Sequence, residues 1–438
     1  MRLLVASLAA LIAATAPASA ETLAESMASA VDSNPTLAAQ RQRLNATREV
    51  LPQAWAAALP QVSVSGSATA NDRDADDPLL NPQGETDRTE TWSANANVSQ
   101  LLFGSGRVMA STRAARAQIA GAVADYELAQ QTLLLDVTRA YADVRQVQAV
   151  VAAREQTVAN LARLLEFAQA QFDAGVVTRT DVAQAQARYA QARTQLVQAQ
   201  GAMAASVQAY QRLVGRPPSN LIAPAPATGL PADLATALDL SVDNSPVLIA
   251  AQADTRLADA NVDVAAAQGR VNVTLEGGFG TSGDFDNDAL DGTSDSVGVR
   301  VSVPLFQGGA IRSRTRAQRA LRSASNLDLA AAQRSVQENV TNAWTGLASA
   351  RAAVDSAREQ VQAAELAYEG VTLEQETGLR STVEVLDQEA DLLTARIALA
   401  QAERDLVVAE RQLLAAVGIL SLPSGGGALI EEDGLRGR

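Results

Sequence analysis

The chain of 438 residues contains no cysteine, no histidine and no lysine. Each absence removes a class of chemistry. Without cysteine or histidine there is no thiolate or imidazole zinc site, no Ser-His or Cys-His catalytic pair and no disulfide. An acylated cysteine cannot anchor the protein to a membrane. Without lysine, the Gly-rich phosphate loop that ends in a lysine cannot form, so no nucleotide cofactor is expected. Aromatic residues are only 3% of the chain although hydrophobic residues are 47%. Alanine carries much of that apolar content, which suits long helices packed closely and not a bulky core. The formal net charge is −14. This acidic balance, with no basic cluster, argues against a nucleic-acid partner.

What is present begins with an export signal. Arg2, the apolar run Leu3–Ala16 and the small-residue site Ala18-Ser19-Ala20 read as a signal peptide over residues 1–20. No later segment is a long enough apolar run to cross a membrane as a helix. A location in the cell envelope follows.

The chain is written twice. Phe103 in Leu101-Leu102-Phe103-Gly104 matches Phe306 in Pro304-Leu305-Phe306-Gln307, at a spacing of 203 (306 − 103). The same spacing links Tyr141 to Trp344, Gly175 to Gly378, Asp181 to Glu384, Arg193 to Arg396 and Gly215 to Gly418. Upstream, Pro35 matches Pro246 at 211 (246 − 35), so the second copy is shorter between its Pro and its Phe, as a loop permits. The first repeat spans 21–215, the second 232–418, the linker 216–231, and 419–438 reads as a loose tail. Each copy predicts one helix (Leu23–Ala57; Leu234–Gln268), a β-hairpin (61–103; 271–306) and a long helical hairpin (107–214; 310–417). A helix of about 68 residues is on the order of 100 Å long, which no globular core requires. Along it Val137, Tyr141, Val144, Val151, Val158, Leu165 and Phe172 form a coiled-coil-like seam.

The hairpins alternate strictly. Val62, Val64, Gly66 and Ala68 oppose Ser63, Ser65, Ser67 and Thr69; Trp92, Ala94, Ala96 and Val98 oppose Ser93, Asn95, Asn97 and Ser99. Val271, Val273, Leu275 and Phe279, then Val297, Val299, Val301, Val303 and Leu305, repeat the pattern. This period suits transmembrane β-strands, apolar towards lipid and polar towards a lumen. Four strands cannot close a barrel, and lipid does not tolerate an open edge, so closure needs further copies of the chain. The acidic connections Asn71–Arg88 and Gly283–Asp295 read as exterior loops. Asp284, Asp286, Asp288 and Asp291 hint at calcium, but Ala289 and Asp295 stand where an EF-hand wants Gly and Glu.

With these features in place, the chain resembles the TolC family of outer-membrane channel proteins over almost all of its length. The most specific stretches are Phe172-Asp173-Ala174-Gly175-Val176-Val177-Thr178-Arg179-Thr180-Asp181-Val182 and Gly378-Leu379-Arg380-Ser381-Thr382-Val383-Glu384-Val385-Leu386-Asp387. The resemblance implies a mainly α fold with a small β part. Long antiparallel coiled-coil hairpins would form an α-barrel tunnel in the periplasm. Four strands per protomer would form a shared twelve-stranded barrel in the outer membrane of a homotrimer. It also implies a periplasmic adaptor and an inner-membrane partner, either an ABC transporter or a proton-driven pump. The run Thr178-Arg179-Thr180-Asp181-Val182-Ala183-Gln184-Ala185 is similar to the branch serving type I secretion; drug or metal efflux is the alternative. A structural periplasmic coiled-coil protein is the rival from another class.

Two readings meet at the helical tips. Thr178-x-x-Asp181 and Ser381-x-x-Glu384 have capping-box spacing, which alone accounts for Asp181 and Glu384. By resemblance, Glu384 and Asp387 would line the periplasmic aperture, and Asp181 and Arg380 would form a gating link. Gly175, Val176, Val177 and Thr178, with Gly378, Leu379, Arg380 and Ser381, would be the adaptor-docking tips.

Overall fold

The computed structural model describes residues 20–73, 87–285 and 291–422. Most of the signal segment, parts of both hairpin loops and the end of the tail lie outside these residues. Nine helices and four strands are described: α1 Leu23–Ser33, α2 Pro35–Arg48, α3 Val50–Ala56, β1 Gln61–Arg73, β2 Asp87–Phe103, α4 Arg107–Asp173, α5 Arg179–Val214, α6 Leu234–Asn244, α7 Pro246–Ala267, β3 Asn272–Asp284, β4 Gly292–Ser302, α8 Ala310–Glu376 and α9 Thr382–Val417.

The element boundaries keep the spacings of the sequence. Both ends of α4 and α8, and both ends of α5 and α9, stand 203 apart (310 − 107, 376 − 173, 382 − 179, 417 − 214). Both ends of β1 and β3 stand 211 apart (272 − 61, 284 − 73), so the change of spacing falls between the first strand of each hairpin and the long helix.

The single helices expected over Leu23–Ala57 and Leu234–Gln268 are instead interrupted. Asn34 (φ −72°, ψ 119°) and Ser245 (φ −67°, ψ 116°) are extended. Each precedes a proline, whose Cδ excludes the preceding residue from the helical region. Asn34 then caps the next helix, its Oδ1 accepting from the Thr36 N–H at 2.9 Å. A further break at Glu49 follows from Pro52, which cannot donate to Arg48 and crowds its carbonyl.

Two compact units divide the chain. One gathers residues up to Arg41, Tyr126–Leu248 and Gln333 onward; the other gathers Gln42–Asp125 and Ile249–Ala332. The second unit holds the sheet, ordered β1-β2-β3-β4 and antiparallel throughout. Its register brings the expected apolar sets onto one face: Val62 pairs with Val98, Val64 with Ala96, Ala96 with Phe279, Leu275 with Val299 and Val273 with Val301. The other face carries the row Ser65, Asn95, Gly280 and Ser294. A Cβ on Gly280 would lie 2.7 Å from the Asn95 Oδ1, so this glycine leaves room for the carboxamide. Glu276 and Arg300 also share this face, joined by two hydrogen bonds of 2.7 and 2.8 Å.

In the first unit, Leu161 of α4 packs with Ala192 of α5 and Leu386 of α9, and Val354 of α8 with Ala402 of α9. Small alanines at these contacts allow the close approach that the composition foretells. The expected seam holds at Val137, Tyr141 and Val144, all fully buried, but not at Phe172, which is exposed. Farther along α4 the buried set is Thr157, Leu161 and Ala168. A seven-residue stripe rotates about 20° per heptad on a straight helix, and α4 exchanges one set of partners for another along its length.

The first unit also holds a buried carboxylate. Glu21 is 2% exposed. Its Oε1 accepts from the Tyr210 hydroxyl at 2.6 Å and the Ser26 hydroxyl at 3.1 Å, and lies 2.8 Å from an Arg216 nitrogen. Its Oε2 accepts from the Ser219 N–H and hydroxyl, both at 2.9 Å. Burial pushes this carboxyl up, but the Ser219, Tyr210 and Ser26 hydrogen bonds outweigh it and leave the group below its ordinary value. Because the folded value is lowered, the carboxylate stabilises the fold above the ordinary value of 4.5 and loses that contribution as pH falls through the folded value. Glu21→Gln should cost about 2 kcal/mol at neutral pH, since it removes the charge from a satisfied buried network. Thermal unfolding followed across pH should show the difference from wild type shrinking below about pH 4.5; a pH-independent difference would refute the carboxylate's role.

Candidate functional site: the helical tips

The turn after α4 is dictated by Gly175, which adopts φ 75°. Its N–H donates to the Phe172 carbonyl and that of Val176 to the Gln171 carbonyl, each at 2.9 Å. The turn after α8 repeats this: Gly378 has φ 81°, its N–H donates to Gln375 at 3.0 Å, and that of Leu379 donates to Glu374 at 2.8 Å. Both are Schellman closures, satisfying carbonyls that the helix end leaves open. Val176 and Leu379 stand at the two apices, 71% and 78% exposed.

Both capping boxes are formed. The Thr178 N–H donates to Asp181 Oδ2 at 2.9 Å, and the Asp181 N–H to the Thr178 hydroxyl at 3.3 Å. Asp181 is short for this reach-back, and the Thr178 hydroxyl itself donates to its Oδ2 at 2.8 Å. In α9 the Ser381 N–H donates to Glu384 Oε2 at 3.1 Å and the Glu384 N–H to the Ser381 hydroxyl at 3.4 Å. A carboxylate at each helix start also suits the positive end of the helix dipole.

Asp181 and Arg380 are not brought together within one chain. Asp181 is engaged by Thr178, and Arg380 by two acids of its own hairpin. Its Nε donates to Glu374 at 2.8 Å, and an Nη lies 3.5 Å from Glu384. The Glu374 hydrogen bond and the charges of Glu384 and Glu374 hold the Arg380 guanidinium above its ordinary value. Asp387 lies one turn beyond Glu384, is exposed, and accepts from Arg188 of α5 at 3.2 Å. This cross-hairpin pair was not expected from the sequence. Arg188 carries no local motif, and only the meeting of α5 with α9 identifies it.

A second buried acid, Glu389, has no local motif in the sequence. Glu389 is 2% exposed and accepts from the Asn160 carboxamide at 2.9 Å. Beside it, burial and the Glu389 charge push the Tyr368 hydroxyl up to about 12. Tyr368, Asn160, Arg163 and Glu365 line an open groove of about 710 Å³. Among the described residues no cluster of acids could hold a metal ion; Asp286 and Asp288 of the calcium hint lie outside them. The tips therefore offer fixed charges, exposed apolar apices and cross-helix ion pairs.

The family profile for outer membrane efflux proteins matches residues 27–216 and 237–419. The chain is 31% identical over 337 residues to the outer membrane efflux protein BepC of Brucella suis, covering 76% of this chain and 73% of that one. It is 27% identical over 403 residues to the outer membrane protein TolC of Vibrio cholerae, covering 90% and 89%. The fold matches the CmeC outer membrane channel of Campylobacter jejuni with a TM-score of 0.79 at 16% identity, over 92% of this chain and 87% of that one. The chain belongs to the outer membrane efflux protein family, as a TolC-like outer-membrane channel and not an enzyme.

Proposed function

We propose that three copies form a passive duct from a periplasmic helical tunnel through a shared β-barrel, the exit of a tripartite exporter. The two structural repeats, 21–215 and 232–418 joined by 216–231, would each supply an equivalent sixth of the barrel and of the tunnel wall. The observation that carries this reading is the pairing of one-faced apolar strands with two matched helical tips. The sheet ends in two unpaired edges, β1 and β4, which a membrane does not tolerate and a neighbouring copy can satisfy.

At the tunnel mouth, Glu384 and Asp387 would repeat around a three-fold axis as a ring of carboxylates. Such a ring favours cations. Arg188 would hold Asp387 in place, and Arg380 would act as a latch that exchanges Glu374 and Glu384 for Asp181 of another hairpin. The exposed apices Val176 and Leu379, with Gly175, Val177, Thr178, Gly378, Arg380 and Ser381, would receive the periplasmic adaptor. The inner-membrane partner supplies the energy. The Thr178–Ala185 run favours type I protein secretion with an ABC transporter. Drug or metal efflux beside a proton-driven pump is the second reading; the Brucella relative is named an efflux protein, which supports efflux as such.

Two outcomes check these roles. Asp387→Ala should lower the cation preference of single channels in planar bilayers several-fold and leave outer-membrane fractionation intact; unchanged selectivity removes Asp387 from the aperture. Leu379→Asp should abolish cross-linking to the adaptor in intact cells while the purified channel conducts normally. Retained cross-linking would place docking elsewhere.

A further inference from the structure

Contrary to the expectation of no basic cluster, α8 opens on one. Five arginines fall between Arg312 and Arg322, with no acid before Asp328. They divide into two rows. Arg314 meets Gln268, just past the end of α7, and Arg322 meets Asp259 of α7. Arg312, Arg316 and Arg319, spaced i, i+4, i+7, share another face and are exposed. None of these three forms an ion pair with a described residue. At the 203 spacing the same face of α4 carries Met109, Arg113 and Arg116, of which Arg113 is committed to Asp263 at 2.9 Å.

A second observation sets an exposed apolar collar beside this row. Where the strands give way to the helices, Phe103, Leu305 and Phe306 are exposed, the last two by 91% and 87%. Met109, in the first turn of α4 and at the head of the same face, is 71% exposed. An uncovered apolar collar at the end of transmembrane strands belongs at the hydrocarbon boundary. Arg319 lies nine residues into α8, about 14 Å along the helix. Arginine side chains on a helix lean towards its start, which brings each guanidinium nearer the collar than its Cα.

We propose that Arg312, Arg316 and Arg319, with Arg116, form a phosphate-binding collar for anionic glycerophospholipids of the periplasmic leaflet. The collar rests on the channel reading and names the lipid class that this channel holds. It sits at the helix end of the strands, away from the hairpin loops, which selects the periplasmic leaflet over the outer one. Guanidinium groups match phosphate oxygens bidentately, and the apolar collar above covers the first part of the acyl chains.

The probe is phosphatidylglycerol added to the purified oligomer in detergent, with phosphatidylcholine as control and native mass spectrometry as the readout. Wild type should retain phosphatidylglycerol preferentially, and the preference should weaken with added salt. Arg312→Gln, Arg316→Gln and Arg319→Gln combined should lower the apparent affinity by about fivefold for each arginine that contacts phosphate. The corresponding triple lysine variant should keep most of the preference, which separates lost charge from lost folding. An unchanged preference in the glutamine variant overturns the collar. So does a shift in pore selectivity without a change in bound lipid, which would put the row in the lumen. Failure of wild type to form pores at all would sink the channel reading and not the lipid measurement.

Discussion

A four-stranded sheet with an apolar face cannot be left open in a membrane. Every backbone N–H and C=O in hydrocarbon must find a partner, and β1 and β4 each present an unpaired row. The rest of the molecule is compatible with this one demand. Each repeat contributes only a hairpin, and the middle of the sheet is where the two repeats meet, through β2 and β3. Closure must be intermolecular, so the barrel and the oligomer are a single problem. The polar face then becomes a lumen, which suits its serines, asparagines and the Glu276–Arg300 pair.

Helices impose the opposite condition. Their backbone is satisfied internally, so α4 and α8 can run for 67 residues with little bulky packing. What they need is closure at their ends. Gly175 and Gly378 meet it on one side, and the Thr178 and Ser381 boxes on the other. The carboxylates that complete these boxes are thereby spoken for structurally. Glu384 nevertheless keeps a second contact, with Arg380, whereas Asp387 serves no cap and, among the described residues, is held by Arg188 of the other hairpin.

Much of this was legible in the chain because it depends on local chemistry or on a repeat. The alternation at Val62–Thr69 and Val297–Ser302 marks the strands, although β4 stops short of Val303 and Leu305, and the 203 spacing places the long helices almost to the residue. The breaks at Asn34 and Ser245 are also local, since Pro35 and Pro246 not only mark the repeat but end the helix before them. Other features depend on which helices meet. Glu389 beside Asn160, Arg188 beside Asp387 and Glu21 beneath Tyr210 join residues far apart in sequence. No periodicity identifies such pairs. The arginine row on α8 was overlooked for a different reason: a chain of net charge −14 conceals a local excess of the other sign.

The Glu21 socket bears on the order in which the chain can settle. Its donors come from Tyr210, Arg216 and Ser219, almost two hundred residues later, and the main chain of Glu21 pairs with Asn220 and Ile222. Synthesis delivers Glu21 long before these partners emerge. Until they do, the carboxylate stays in water and α1 has nothing to dock on. Closing so long a loop is slow and entropically costly. Docking of α1 is thus held back until the first repeat and the residues just after it are complete.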